Sequence, residues 1–280
     1  MRCSTENPLA ILFDVIIFST VVVLLSLVEW GLVTPFKTIG FYCKDPKLSY
    51  VNSGETVSVK LLLTVSFVLP YFMFLFVERF TNTNSEERPA KHLWLEKTHH
   101  WYLKYLHGLC FTFLITDLAK YLFGEPRPHF LHTCLPRESL NCTIGQYFDH
   151  YECTNNLSRH QLVDSFKSFP SGHAAFSCYF AVYFLVYFTR QIRTSSHLFL
   201  NVLQFFCIFW ALLCSLSRIT DHRHHWWDVL SGGILGISIA VYFISYNRRY
   251  KEKKEDLEYP NAVLEKNKNH KFNLISDSNS

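Results

Sequence analysis

The sequence contains few charged residues, glycines and prolines, and these shortages exclude several classes of protein. Charged residues make up 18% of the 280 residues, against roughly 25% in an ordinary soluble domain. With 10 glycines and 10 prolines against 49% apolar residues, the chain is neither collagen-like nor disordered. The net charge of +4 is too small for a strongly basic binding surface, so we expect no nucleic-acid partner.

Apolar residues are instead plentiful and gathered in long runs. The mean hydropathy of +0.08 averages uncharged runs with polar loops. A membrane-spanning helix needs about 20 mostly apolar residues. Six runs predict an all-α integral membrane protein with six transmembrane helices, because a soluble bundle with six such helices would have too little polar surface. They are residues 8–33, 61–77, 101–123, 172–188, 198–216 and 229–246.

Basic residues beside these runs predict the orientation. Lys and Arg are frequent in residues 79–100, at 190–193 and from Arg248 onward, and such an excess marks the cytosolic side. The first run is too long for a cleaved signal peptide, and we interpret it as an uncleaved anchor. We therefore expect a six-span domain over residues 1–247, both termini in the cytosol, and a largely disordered cytosolic tail over 248–280.

The long connection between the third and fourth runs carries marks of the outer or lumenal side. Asn141 and Asn156 both begin N-x-[ST] sequons and are candidate glycosylation sites. Disulfides are compatible with that side. Four cysteines in predicted outer loops allow three pairings, and the sequence does not choose among them; they are Cys43, Cys134, Cys142 and Cys153.

Three polar clusters lie at the outer ends of the runs, where charge is costly and indicates function. Lys120 precedes Arg127 by seven residues; alone, this pair could be two interface cations that reach toward headgroups. Ser171 and Gly172 begin the fourth run, where a helix start offers free N–H groups to an anion. His173 follows them directly.

The third cluster joins the fifth and sixth runs and contains Arg218, His224 and Asp228. The last two are four residues apart, so on a helical turn the carboxylate could orient the imidazole. A metal site is an alternative, because Asp221, His222 and His225 crowd the same segment. Three nearby cations oppose it and suit a phosphate group instead, so we predict no metal and no cofactor.

The pattern K-x6-R-P, P-S-G-H and S-R-x5-H-x3-D is complete in this chain. It resembles the three-part signature of the type 2 phosphatidic acid phosphatase superfamily. Flanking words such as R-P-H-F and H-H-W-x-D-V-L are similar to the animal lipid phosphate phosphatases, Wunen type included. The resemblance covers roughly residues 8–247. It implies six spans, a glycosylated loop and an outward-facing active site. One departure is Glu125, where close relatives often have a basic residue.

The resemblance also implies the role of each motif residue. His224 would attack phosphorus and form a phosphohistidine, Asp228 would hold its other ring nitrogen, and His173 would protonate the leaving alcohol and then activate water. The phosphoryl oxygens would be bound by Lys120, Arg127, Ser171, Gly172 and Arg218. Because fixed cations can stabilise phosphoryl transfer, we expect activity that survives chelation of metals.

The implied function is metal-independent dephosphorylation of lipid phosphates in the membrane, attenuating lipid signalling. The implied substrates are phosphatidate, lysophosphatidate, sphingosine 1-phosphate and ceramide 1-phosphate, and the plasma membrane is favoured over the endoplasmic reticulum or Golgi. The alternatives are a non-catalytic protein that binds lipid phosphates, a transporter, and a phosphatase for isoprenoid or sugar phosphates. The lipid preference and any homo-oligomer stay open at this stage.

Overall fold

Long helices dominate the computed structural model, which describes residues 39–83, 93–192 and 197–247. It also describes five isolated helical positions, namely Leu9, Ile16, Ser19, Thr20 and Val23. The rest of the predicted first span and the tail over 248–280 lie outside the described residues.

Five described segments are long and apolar enough to cross a membrane, so the chain is a multi-pass membrane protein. The first comprises α1 (Val59–Leu63), a π-helical turn (Thr64–Val68) and α2 (Leu69–Thr83). The others are α3 (Leu93–Phe123), α6 (Gly172–Gln191), α7 (His197–Thr220) and α8 (Trp226–Asn247).

The helices extend beyond the predicted runs. The third begins at Leu93, eight residues before the predicted start, and the second continues to Thr83. Hydropathy detects the stretch that crosses hydrocarbon, whereas helical hydrogen bonds continue into the headgroup region, where polar residues are tolerated.

Helix α6 is the centre of the bundle, because it packs against α3 and α7 and most of its residues are buried. Its Tyr179 hydroxyl donates to the Tyr105 carbonyl at 2.8 Å. Tyr105 in turn donates to the Ser66 carbonyl of the π-helical turn at 2.9 Å. Within a membrane every polar group needs a protein partner, so these bonds anchor the π-helical turn to the aromatic core.

Two glycines bring α8 against the start of α6. A Cβ atom added at Gly232 would overlap the Ser171 carbonyl oxygen, and one at Gly236 would overlap the Ala175 carbonyl oxygen. This is the small-xxx-small pattern that lets membrane helices approach closely. The motif residues at the start of α8 are thereby held beside those at the start of α6.

The connections 39–58 and 124–171 pack together over one end of the bundle, and we call this end the loop face. Strand β1 (Phe41–Tyr42) pairs antiparallel with β2 (Tyr147–Phe148). Between and after them lie α4 (Phe130–Cys134), a 3-10 turn (Arg137–Ser139) and α5 (Arg159–Asp164). An aromatic cluster fills the interior of this cap, contributed by Phe41, Phe130, Tyr151 and Phe166.

Two disulfides join the loop-face segments and resolve the pairing that the sequence left open. Cys43 pairs with Cys142 and Cys134 with Cys153, with Cα–Cα distances of 6.0 and 4.7 Å. The first bridge ties the two connections to each other, so both lie on one side of the membrane. The sequon residues Asn141 and Asn156 are exposed on the same face.

We expect Gly236→Ala to destabilise the protein, because the new methyl group would meet the Ala175 backbone. Overpacking of this kind costs about 1–3 kcal/mol, which should appear as a lower Tm in detergent. Gly233→Ala is the matched control, since a Cβ there would contact only the Cys178 Sγ at an ordinary 3.5 Å. Equal Tm values for the two variants would contradict the close approach of α8 and α6.

Candidate active site

The three sequence motifs meet at the loop face. Lys120 lies in the last turn of α3, Ser171 is the N-cap of α6, and Arg218 lies in the last turn of α7. The Ser171 N–H donates to the Asp228 carbonyl at 3.0 Å, which joins the second motif to the third. A Cβ at Gly172 would lie 3.6 Å from the Lys120 Nζ, so the first motif adjoins the second.

The His224 ring is oriented by a backbone carbonyl. Its Nδ1 lies 2.7 Å from the Ser168 carbonyl oxygen and 3.7 Å from the Asp228 Oδ2. The Ser168 carbonyl is therefore the closer partner of Nδ1, and the Asp228 carboxylate lies beside it as an ion-pair partner. Since a carbonyl only accepts, Nδ1 carries the proton and Nε2 carries the lone pair in the neutral ring.

Asp228 contributes a fixed, buried negative charge close to this ring. Its side chain is 0% exposed, and its Oδ2 accepts from the Ser168 hydroxyl at 2.6 Å and from the His225 N–H at 2.9 Å. Ser168 thus contacts both His224 and Asp228. Sequence reasoning did not identify Ser168. The only indication in the sequence was the position of Ser168 three residues before Ser171.

Burial lowers the pKa of His224 to about 4. Asp228 opposes this shift, and the positive charges of Arg127 and Lys120 add to it. The ring is therefore neutral at neutral pH, as a nitrogen nucleophile must be.

His173 lies in the first turn of α6 and is 8% exposed. Its Nε2 donates to the Val57 carbonyl at 3.1 Å. By the same reasoning, Nδ1 is the nitrogen left to exchange a proton with a ligand. Val57 precedes α1 and belongs to none of the three motifs.

Each motif cation is held by at least one carboxylate. Lys120 Nζ contacts Asp117 Oδ1 at 3.3 Å, one helical turn earlier on the same helix face. Arg127 donates twice to Asp164, from Nη2 to Oδ1 at 2.7 Å and from Nε to the carbonyl at 2.9 Å. Burial raises the pKa of Asp164, but Arg127 and then Arg223 outweigh burial and bring it down to about 2.

Arg218 is the most enclosed of the three cations, at 1% exposure. Its Nη1 donates to Glu55 Oε2 at 3.2 Å and its Nη2 to Asp221 Oδ2 at 3.1 Å. Both ends of the guanidinium fork are therefore oriented before any ligand arrives.

The start of α6 offers an anion site beside these cations. The Ser171 hydroxyl is buried and has no hydrogen-bond partner in the described part of the chain. The first N–H groups of a helix lack intrahelical partners and carry the positive end of its dipole. Gly172 keeps the space toward Lys120 open, because it has no side chain.

The residues that suggested a metal site point in different directions. Asp221 accepts from Thr56, His222 stacks on Tyr50 and His225 stacks on Trp227. Across residues 39–83, 93–192 and 197–247, no three His, Cys, Asp or Glu side chains are grouped to bind a metal.

Glu125 lies directly beside the site. Its Oε1 accepts from the Trp227 indole N–H at 2.9 Å. Burial, and then the negative charge of Asp228, raise the pKa of Glu125 from 4.5 to about 7. A carboxyl group with this pKa is partly protonated at neutral pH, so it carries less than a full negative charge beside the cations.

A polar cavity of about 330 Å³ adjoins the cations within the loop face. Arg223 lines it and donates from Nη1 to Asn52 at 3.1 Å, with the His129 ring at 3.4 Å. Burial, followed by the charges of Arg127 and Arg223, lowers the pKa of His129 to about 3. The cavity therefore meets the cationic site at Asp164, the carboxylate that binds Arg127.

We expect Glu125→Gln to flatten the pH dependence of stability, because glutamine keeps an oxygen for Trp227 but has no proton to lose. The unfolded chain releases this proton near 4.5 and the folded protein near 7, so this group lowers stability as pH rises between these values. The wild-type Tm should fall more than the variant Tm from about pH 5 to pH 8. Glu152→Gln, at an exposed side chain, is the control, and parallel curves for Glu125→Gln and wild type would contradict the shift.

Comparisons with known proteins agree with this arrangement. A family model described as the PAP2 superfamily matches residues 101–252, more than half of the chain. Phospholipid phosphatase 1 of Mus musculus is 29% identical over 82% of this chain and 84% of its own length. Phospholipid phosphatase 2 of Bos taurus is 30% identical over 76% of this chain and 74% of its own.

A Drosophila melanogaster relative is 29% identical over 76% of this chain, and the match spans 62% of its length, less than two thirds. No solved structure matches. The family model covers all three motifs, most of α3 and the whole of α6, α7 and α8. The chain belongs to the PAP2 superfamily.

Proposed function

We propose that the protein hydrolyses lipid phosphates at the outer or lumenal leaflet, without a metal, through a phosphohistidine on His224. The observation that carries this proposal is the set of three pre-oriented cations around a neutral, tautomer-fixed imidazole. Curated relatives that cover most of the chain bear the name phospholipid phosphatase, which supports the same reaction class.

In the first step, the Nε2 lone pair of His224 attacks phosphorus. The phosphorus–oxygen bond to the lipid alcohol breaks, and protonated His173 gives its Nδ1 proton to the leaving oxygen. The hydrogen bond from Nδ1 of His224 to Ser168 stays in place, and the fixed charge of Asp228 stabilises the cationic ring that results.

In the second step, neutral His173 accepts a proton from water as the water oxygen attacks the phosphohistidine. The nitrogen–phosphorus bond breaks, inorganic phosphate leaves, and His224 is again neutral. His173 is again protonated, so the cycle closes without any other reactant.

The cations stabilise the negative charge that is spread over the phosphoryl oxygens. Phosphoryl transfer is largely a matter of positioning and charge stabilisation. Lys120, Arg127 and Arg218 would supply the charge, while Ser171 and the Gly172 N–H would bind oxygens at the helix start. The partnerless Ser171 hydroxyl supports this, since a phosphate oxygen would give it a hydrogen-bond partner.

The place of the site supports a lipid substrate. The motif residues lie where membrane-spanning helices end, so a bound phosphate would sit at headgroup level while the acyl chain stays in the bilayer. The family resemblance favours phosphatidate, lysophosphatidate, sphingosine 1-phosphate and ceramide 1-phosphate. The disulfides and exposed sequons support a loop face on the oxidising, outer or lumenal side. Six spans would then put both termini in the cytosol, and the family resemblance favours the plasma membrane.

The direct test is phosphate release from a panel of these lipids by purified protein. We expect wild-type release to persist in EDTA. His224→Ala should fall to background, because uncatalysed phosphate-monoester hydrolysis is among the slowest reactions known. His150→Ala, at a side chain that is 97% exposed, is the matched control and should retain activity. Lipid binding by the wild type without phosphate release would favour the non-catalytic alternative.

The acid limb of the pH–rate profile should report the protonation of His224. Its pKa of about 4 means that the attacking nitrogen becomes protonated only below this pH. Because kcat/KM reports the free enzyme, its acid limb should have a midpoint near 4. The substrate phosphate itself ionises at about pH 6, so the profile is measured with two substrates whose phosphate pKa values differ. A limb at the ordinary histidine value of about 6.5 that stays in place when the substrate is changed would contradict a buried, neutral nucleophile.

A further inference from the structure

We propose that Glu55, Thr56 and Val57 form a strap that positions the reacting groups, and that the active site is incomplete without it. The strap lies in the connection before α1 and precedes the residues that the family model matches. This inference rests on the proposed function, because its partners are His173 and Arg218.

Val57 sets the tautomer of His173. The Val57 carbonyl accepts from the His173 Nε2 at 3.1 Å, and Val57 is 1% exposed. The next residue, Ser58, caps α1 by accepting from the Leu61 N–H at 3.2 Å. The carbonyl that orients His173 is therefore attached directly to a fixed helix start, and it leaves Nδ1 of His173 for the substrate.

Glu55 orients Arg218 from the side opposite Asp221. The two carboxylates bind different guanidinium nitrogens, at 3.2 and 3.1 Å. Arg218 is at the end of α7, where its Nε and Nη2 also donate to the Ser217 hydroxyl at 3.4 and 3.3 Å. Ser217 and Asp221 hold one edge of the fork, and Glu55 holds Nη1. Two carboxylates hold the plane of the fork, which is the geometry that bidentate phosphate recognition requires.

Thr56 fastens the strap to the third motif. Its N–H donates to Asp221 Oδ2 and its hydroxyl to Asp221 Oδ1, both at 2.7 Å. The same Asp221 carboxylate receives Arg218, so Thr56 and Arg218 share one partner. Three successive residues thereby connect the start of α1 to both the second and the third motif.

A structural role alone would predict a loss of stability, whereas a positioning role predicts a loss of kcat. The Thr56 side chain is well suited to separate the two, because it is exposed and its main-chain bond to Asp221 survives substitution. We expect Thr56→Val to lower kcat about 10-fold, since small displacements of reacting groups cost 10- to 100-fold. KM and Tm should change little, and Thr56→Ser should restore kcat.

Glu55→Gln tests the contact to Arg218. We expect a lower kcat/KM and weaker stabilisation of the protein by orthovanadate, read as a smaller rise in Tm on adding it. Two controls are matched to these variants. Ser53→Ala alters the same connection, and Asp149→Asn removes a charge from an exposed side chain elsewhere on the loop face.

The outcomes separate this proposal from the proposed function. If the wild type releases phosphate but Thr56→Val and Glu55→Gln have the kinetic constants of the two controls, the positioning role of the strap is wrong. The proposed function then still stands. A rise in activity or tighter vanadate binding in Glu55→Gln would also overturn it, because Glu55 would then compete with the substrate. A wild type that neither releases phosphate nor is stabilised by orthovanadate would overturn both proposals.

Discussion

The close approach of α8 to α6 is the constraint on which the site depends. Gly232 and Gly236 let the backbone of one helix meet the carbonyls of the other. The start of α8 carries Asp228, and the start of α6 carries Ser171 and His173. Side chains larger than hydrogen at the two glycines would separate these helix starts and the motif residues that they carry.

The site also requires that its buried positive charges be paired with negative ones. Cations buried at the end of a membrane helix are costly without partners. Four carboxylates offset that cost by forming ion pairs with the cations. They belong to Asp117, Asp164, Glu55 and Asp221. The same contacts hold the donors in place, so stability and preorganisation have one physical origin. Ser168 does the equivalent for His224 and Asp228, because it accepts from the first and donates to the second.

Sequence reasoning predicted the membrane class, the apolar spans and the motif residues that the structure brings together. For His224 it pointed to Asp228, whose Oδ2 lies 3.7 Å from Nδ1, but the i, i+4 spacing does not reveal that the Ser168 carbonyl lies closer, at 2.7 Å. It did not connect Val57 or Glu55 to the site, since these contacts span more than 100 residues of chain.

What the sequence by itself determined is local or compositional. Long apolar runs require a membrane, and the spacing within each motif specifies which polar side chains occupy the helix ends. The tertiary structure decided which nitrogen of each histidine is free, which carboxylate holds each arginine, and which cysteines pair. All three choices depend on contacts between segments that are far apart in the chain. Helix packing and disulfide closure bring those segments together, and the residues beside each motif do not reveal it.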